Sequence, residues 1–137
     1  MSLGSRCDLC FDTNTLIYYF MGAGRVGDRM LSTLPSDIVI SALVLYELEV
    51  GIAKSSSSRR RRAELDKVTE VVSILPFGRE EARAAAAVRA DLERIGKPIG
   101  PLDTLIAGTA LANHATLVTH NTSEFGRVPN LEIIDWV

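Results

Sequence analysis

The chain has 137 residues, of which 47% are hydrophobic, and a formal net charge of −2; this suits one compact domain, spanning residues 1–137, with enough core to fold alone. Near-neutral overall charge carries no strong nucleic-acid signal. The least charged stretch, residues 99–119, is broken by Gly100, Pro101, Asp103, Gly108 and Asn113, well short of the ~18 apolar residues of a membrane span.

Residues 1–10 carry Arg6 and Asp8 and no long apolar run, so no secretory signal is read and residues 1–5 are expected to be disordered or vector-derived. A soluble, cytoplasmic protein with no membrane partner is the expectation. In chain order, residues 7–11 read as a buried strand, 13–21 as a helix, and 22–27 as a turn into a second short helix ending near Leu34. Pro35-Ser36-Asp37 breaks the chain. Residues 37–40 form a second strand, and Ser41 is placed to cap a helix running to about Lys54.

Residues 55–58 form a loop, 59–71 a helix and 73–76 a short strand. The alanine-rich segment 80–94 is helical and stops at Gly96-Lys97-Pro98. A helix over 103–113, a strand over 116–118 and a final strand over 131–134 complete the pattern, with no internal repeat. Strand and helix in alternation predict an α/β fold, a central parallel sheet flanked by helices in three layers.

Four polar clusters fall where these strands meet turns or helices: Cys10-Phe11-Asp12-Thr13-Asn14, Leu45-Tyr46-Glu47-Leu48-Glu49, Gly100-Pro101-Leu102-Asp103-Thr104 and Val118-Thr119-His120-Asn121. The carboxyl ends of parallel strands share one edge of the sheet, so side chains remote in sequence can converge there. Converging carboxylates repel and are poorly solvated, a state that a divalent cation relieves.

Each residue also has a purely structural account. Asp12 and Asp103 stand where helices begin and can cap them. Glu47 and Glu49 share a helix that is apolar on nearly every side, so at least one needs a partner, and spacing does not choose between them. Asn121 suits a turn after a strand.

Cys7-x-x-Cys10 and the pair His114 and His120 are too far apart for a zinc finger, and the cysteines read as structural. Arg59 to Arg62 can contact phosphates, or form a solvated face balanced by Glu64, Asp66 and Glu70, the reading preferred.

Taken together, Asp12-Thr13-Asn14, Glu47-Leu48-Glu49-Val50-Gly51, the segment Ile99-Gly100-Pro101-Leu102-Asp103-Thr104-Leu105-Ile106-Ala107, Thr119-His120-Asn121 with Glu124-Phe125, and Asp135-Trp136 resemble the PIN-domain ribonucleases, and within them the VapC-type toxins of toxin–antitoxin pairs. The resemblance covers the chain from about Cys10 to Trp136. It implies a three-layer PIN-like fold and a metal-dependent endoribonuclease that hydrolyses RNA phosphodiester bonds.

By resemblance Asp12, Glu47 and Asp103 bind Mg²⁺ or Mn²⁺, and the family's fourth acidic position falls at Asn121, an amide in this chain. Thr13, Asn14 and Thr119 are supporting residues; His120 is read as incidental. The resemblance further implies a homodimer and a cognate antitoxin that packs against the toxin and blocks its acids. The apolar run Leu16 to Met21 makes Tyr18, Tyr19 and Phe20 candidates for that contact.

Two other classes compete. A receiver-type signalling domain also gathers aspartates around magnesium but needs a lysine after a late strand, and the lysines are Lys54, Lys67 and Lys97. A PIN-like protein that acts mainly with a DNA-binding partner as a repressor complex, cleaving little, is compatible with the amide at Asn121.

Overall fold

The structure is a computed structural model and describes residues 8–137; Cys7 and residues 1–5 lie outside that range. Five strands, β1 (Leu9–Phe11), β2 (Ile38–Ser41), β3 (Ser73–Leu75), β4 (Thr116–Val118) and β5 (Ile133–Ile134), form one sheet in the order β3-β2-β1-β4-β5. Every pairing is parallel. Helices α1 (Thr13–Met21), α2 (Val26–Leu31), α3 (Ala42–Ala53), α4 (Ser58–Thr69), α5 (Arg79–Arg94), α6 (Pro101–Ala112) and α7 (Thr122–Phe125) make the connections and flank the sheet. This is the α/β architecture expected from the alternating periods.

The central strands are short and apolar on both faces, as a sheet covered by helices requires. Cys10, Phe11, Ile40, Leu117 and Val118 are fully buried, and Phe11 meets the buried Trp136 edge-on at a centroid distance of 5.2 Å. Burial pushes the Cys10 thiol up to about 12, with the charge of Asp12 adding to it. A thiol so reluctant to ionise is a core side chain, in line with the structural reading of Cys10.

Helix boundaries differ from expectation where local hydrogen bonds compete. Helix α2 ends at Leu31 rather than near Leu34, because the Ser32 and Thr33 hydroxyls both donate to the Arg29 carbonyl and Pro35–Asp37 forms a 3-10 turn. Strand β5 is confined to Ile133–Ile134, since Asn130 adopts φ 67° and the Leu131 N–H donates back to Val128. The single turn α7 carries too few residues to show a period.

Helices α5 and α6 pack closely. A Cβ added at Gly108 would stand 2.5 Å from the Ala85 backbone, so glycine there lets the two helices touch. Asn113 at the end of α6 donates from Nδ2 to Glu81 Oε2 of α5, and Glu81 Oε1 accepts the Gly78 N–H at the start of that helix. These bonds help fix the helix that carries Asp103. No helix of the described residues is long and apolar enough to cross a membrane.

Candidate functional site

The strand order sets the site. From β1 the chain moves outward through β2 to β3, then returns to place β4 on the other side of β1. The connections leaving β1 and β4 therefore diverge between adjacent strands, the crevice where open α/β sheets bind ligands. Asp12 follows β1 and Thr119 follows β4, and the Asp12 N–H donates to the Val118 carbonyl at 3.2 Å.

Asp12 is 5% exposed and both its oxygens are engaged. Oδ1 accepts the Thr15 N–H at 2.9 Å, which makes Asp12 the N-cap of α1, and Oδ2 accepts the Thr119 hydroxyl at 2.6 Å. The capping role and a place in the acidic cluster thus coexist. Thr15, which sequence reading passed over, is buried beneath and donates its hydroxyl to Val118 O at 3.0 Å, tying α1 to β4.

Ser41 caps α3 as expected, accepting the Val44 N–H at 3.1 Å. The two acids of that helix separate. Glu47 Oε1 accepts the Thr13 hydroxyl at 2.5 Å, bringing α3 to the start of α1, whereas Glu49 is bound bidentately by Arg62 at 2.9 and 2.5 Å. That pairing lowers the Glu49 pKa from its ordinary value, chiefly through the Arg62 hydrogen bond.

Asp103 is not a cap. Helix α6 begins earlier than expected, with Pro101 in its first turn and Gly100 at the N-cap, and Asp103 is its third residue. Its carboxyl is raised from 3.8 to about 6, first by burial, then by the charges of Glu124, Glu47 and Asp12 in that order. Asp12, Glu47 and Glu124 are thus each within electrostatic reach of Asp103, and among the described residues none of the four is ion-paired with a Lys, Arg or His.

Glu124 is the residue missed as a site member. Asn121 stands at the N-cap of α7 and donates from Nδ2 to Glu124 Oε2 at 2.6 Å, while its own N–H donates to the Thr119 hydroxyl at 3.0 Å. The amide therefore orients a carboxylate that occupies the acidic space three residues further on. Asn121-Thr122-Ser123-Glu124 carries the signal, an N-cap residue followed by Glu at N3.

Of the other supporting candidates, Thr13 and Thr119 each hold one carboxylate, while Asn14 is exposed and its side chain makes no hydrogen bond among the described residues. His120 contacts Asp135 at 2.9 Å and meets Tyr18 edge-on at 5.9 Å. Tyr18 is not among the residues that line an apolar groove of about 420 Å³ between α1, α2 and α4, whereas Tyr19 and Phe20 line it with Met30, Leu31, Val68 and Val71.

Among the described residues no group of three or more His, Cys, Asp or Glu side chains is placed to hold a metal ion. The donor set is nonetheless oxygen throughout and carries unneutralised negative charge. It suits a hard cation that keeps several of its waters, as Mg²⁺ does, rather than a nitrogen- or sulfur-ligated metal.

The PIN domain family matches residues 9–131. The chain is 33% identical over 125 residues to the tRNA(fMet)-specific endonuclease VapC of Salmonella typhimurium, covering 91% of this chain and 95% of that protein. To Ribonuclease VapC2 of Rickettsia felis it is 39% identical over 99 residues, 72% of this chain and 74% of the relative. Among solved structures, the DNA-bound VapBC of Salmonella typhimurium aligns with a TM-score of 0.89 at 31% identity, over 96% of this chain and 99% of the other. VapBC2 of Rickettsia felis bound to a promoter DNA fragment aligns with a TM-score of 0.86 at 33% identity, over 94% and 98%. The crevice between β1 and β4 is thus the acidic site of a chain that belongs to the PIN-domain family, as a VapC-type ribonuclease toxin of a toxin–antitoxin pair.

Proposed function

We propose that this ribonuclease hydrolyses RNA phosphodiester bonds with Mg²⁺ or Mn²⁺ that Asp12, Glu47 and Asp103 would hold, in part through the ion's own waters, with Glu124 as the fourth carboxylate and Asn121 as its positioning residue. One observation carries the reading: the charges of Glu124, Glu47 and Asp12 all act on the carboxyl of Asp103, and among the described residues no Lys, Arg or His forms an ion pair with any of the four. A bound divalent ion supplies an activated water and neutralises charge building on the phosphate.

The chain's own residues do the positioning. Thr119 and Thr13 each spend a hydroxyl proton on one carboxylate oxygen, which fixes the Asp12 and Glu47 carboxylates toward the crevice. The Asn121 amide does the same for Glu124. Donors of this kind orient metal-binding oxygens, and their loss typically costs about 10- to 100-fold in affinity or activity.

Asp103, poorly solvated and facing three acids, has the most to gain from a cation. Among the described residues no histidine contacts these carboxylates: the His120 Nδ1 stands 2.9 Å from Asp135. The ionisable groups that this chain sets around the crevice are thus carboxylates, and activation of the water is the chemistry that a bound divalent ion would supply.

The Salmonella and Shigella relatives are named as tRNA(fMet)-specific, so tRNA(fMet) is the RNA we propose to test first. Purified protein is expected to cut it in the presence of Mg²⁺ or Mn²⁺ and not after chelation. Asp12→Asn and Glu124→Gln are expected to lose at least ~99% of the rate, and Glu49→Gln to keep it. Undiminished cleavage by Glu124→Gln, or cleavage that survives chelation, would refute the assignment.

A cognate antitoxin and a homodimer complete the proposal. The groove beside Tyr19 and Phe20 supports the first, since Leu31, 89% exposed, and Val71, 57% exposed, leave apolar surface for a helical segment. Sedimentation equilibrium of the free toxin decides the second.

A further inference from the structure

We propose that Arg60 and Arg61 are the RNA-backbone contacts of this protein, holding phosphates of the strand that runs from the acidic crevice along the cleft between α1, α3 and α4. The inference rests on the ribonuclease reading and adds the surface that brings the substrate to it.

Helix α4 opens with four successive arginines and no acid in its first turn, and its N-cap Ser57 makes no side-chain capping bond. Cations at the positive end of a helix dipole are unfavourable by a few tenths of a kcal/mol each, the reverse of the usual arrangement. A solvated, internally balanced face would offset this with ion pairs, and only one arginine has them. Arg62 is bound by Glu49 and lies 3.9 Å from Asp66. Among the described residues Arg59, Arg60 and Arg61 make no ion pair and no side-chain hydrogen bond, although Glu64 lies within one turn of Arg60 and Arg61.

Placement then separates the three. Arg61 stands four residues before the buried Leu65 and seven before the buried Val68, on the stripe of α4 that faces the core. It lines a narrow cleft whose other walls include Phe20, Gly51, Glu47 and Glu64, and a neighbouring cleft is shared by Arg60, Arg61, Phe20, Met21 and Glu64. Glu47, which accepts the Thr13 hydroxyl beside Asp12, thus shares a cleft with Arg61 and Phe20, and the same Arg61 and Phe20 line the neighbouring cleft with Arg60.

Charge decides the occupant. Four carboxylates carry more negative charge than one divalent ion cancels, so positive charge nearby favours the approach of a polyanion, and Arg61 supplies it in the cleft it shares with Glu47 while Arg60 supplies it in the next. Guanidinium groups flanking an aromatic ring suit a single strand, phosphates on the first and a base face on the second. An acidic protein segment would satisfy the arginines but set its own carboxylates against Glu47.

The test measures cleavage of a short single-stranded RNA that the parent protein cuts, across about 50 to about 250 mM KCl, with Mg²⁺ saturating. The double variant Arg60→Gln/Arg61→Gln is expected to raise KM about tenfold near 0.1 M salt while kcat stays within about twofold. The slope of log(1/KM) against log salt should flatten by about 1.4, two contacts at about 0.7 each.

Arg62→Gln is expected to leave the slope unchanged, and Arg60→Lys/Arg61→Lys to restore most of the affinity, which separates charge from folding. An unchanged KM and slope in the glutamine variant overturns the proposal, as does a fall in kcat alone. Loss of inhibition by the antitoxin with RNA kinetics intact also overturns it, assigning the arginines to a protein partner. A parent protein that cuts no RNA fails the ribonuclease reading instead.

Discussion

Asp103→Asn is expected to make the metal-free protein more stable at neutral pH while removing its response to Mg²⁺. The carboxyl is raised from 3.8 to about 6 by burial and by the acids around it. At about 1.4 kcal/mol per unit, the cost of ionising it is at most about 3 kcal/mol. Asp103 is only partly buried, and solvent screening reduces this to about 1.5 kcal/mol.

Losing a carboxylate from the first turn of α6 gives back about 0.5 kcal/mol of favourable dipole interaction. The net gain of about 1 kcal/mol corresponds to about 3 °C in Tm for a domain of this size. The sign follows from the direction of the shift. Because the folded-state value lies above the unfolded one, ionised Asp103 opposes folding at pH above about 6. That cost fades as pH falls through about 6 and is gone below about 4.

Thermal melting in chelator at a series of pH values should show the variant above the parent near pH 7.5 and the two curves converging toward pH 4. Adding Mg²⁺ at about ten times its Kd should then raise the parent by about 1.4 kcal/mol and the variant by much less. A variant that melts below the parent in chelator at neutral pH, or a gap that does not close with acid, refutes the reasoning from converging charge.

Thr119→Val removes the donor to Asp12 Oδ2 and the acceptor for the Asn121 N–H. Denaturant titration should register a loss of about 1–3 kcal/mol, and RNA cleavage a fall of about 10- to 100-fold; a stability loss with full activity would detach the threonine from the site. Gly108→Ala, a change that favours an isolated helix by about 1 kcal/mol, is expected to destabilise this one by about 2 kcal/mol, because the new Cβ meets the Ala85 backbone at 2.5 Å. An unchanged or raised Tm would mean that α5 and α6 can separate freely.

The sequence was legible wherever a pattern had room to repeat or a residue had a single local task. The alternation of apolar strands with helices carried the parallel sheet, and Ser41 before an apolar helix carried its cap. What escaped were features decided by one or two hydrogen bonds. Helix α7 is one turn long, and β5 is two residues long because Asn130 turns the chain. The end of α2 was settled by two hydroxyls competing for one carbonyl.

The acidic site was legible for a different reason. Asp12 and Asp103 each admitted a capping explanation, and for Asp12 that explanation is correct: its Oδ1 caps α1. Its Oδ2, however, is tied to the strand beside it by Thr119. Position at the end of β1, next to a strand that returns from the far side of the sheet, gives the carboxylate a second set of neighbours that no local pattern contains. Asp103, which could have been dismissed on the same grounds, caps nothing. The fourth acid shows the limit of reading positions singly. Asn121 occupies the expected place, but its amide turns Glu124 toward the crevice, and that charge is the foremost electrostatic contribution to the raised carboxyl of Asp103. The fourth carboxylate we propose is thus identified by its charge on Asp103 rather than by its distance from β4.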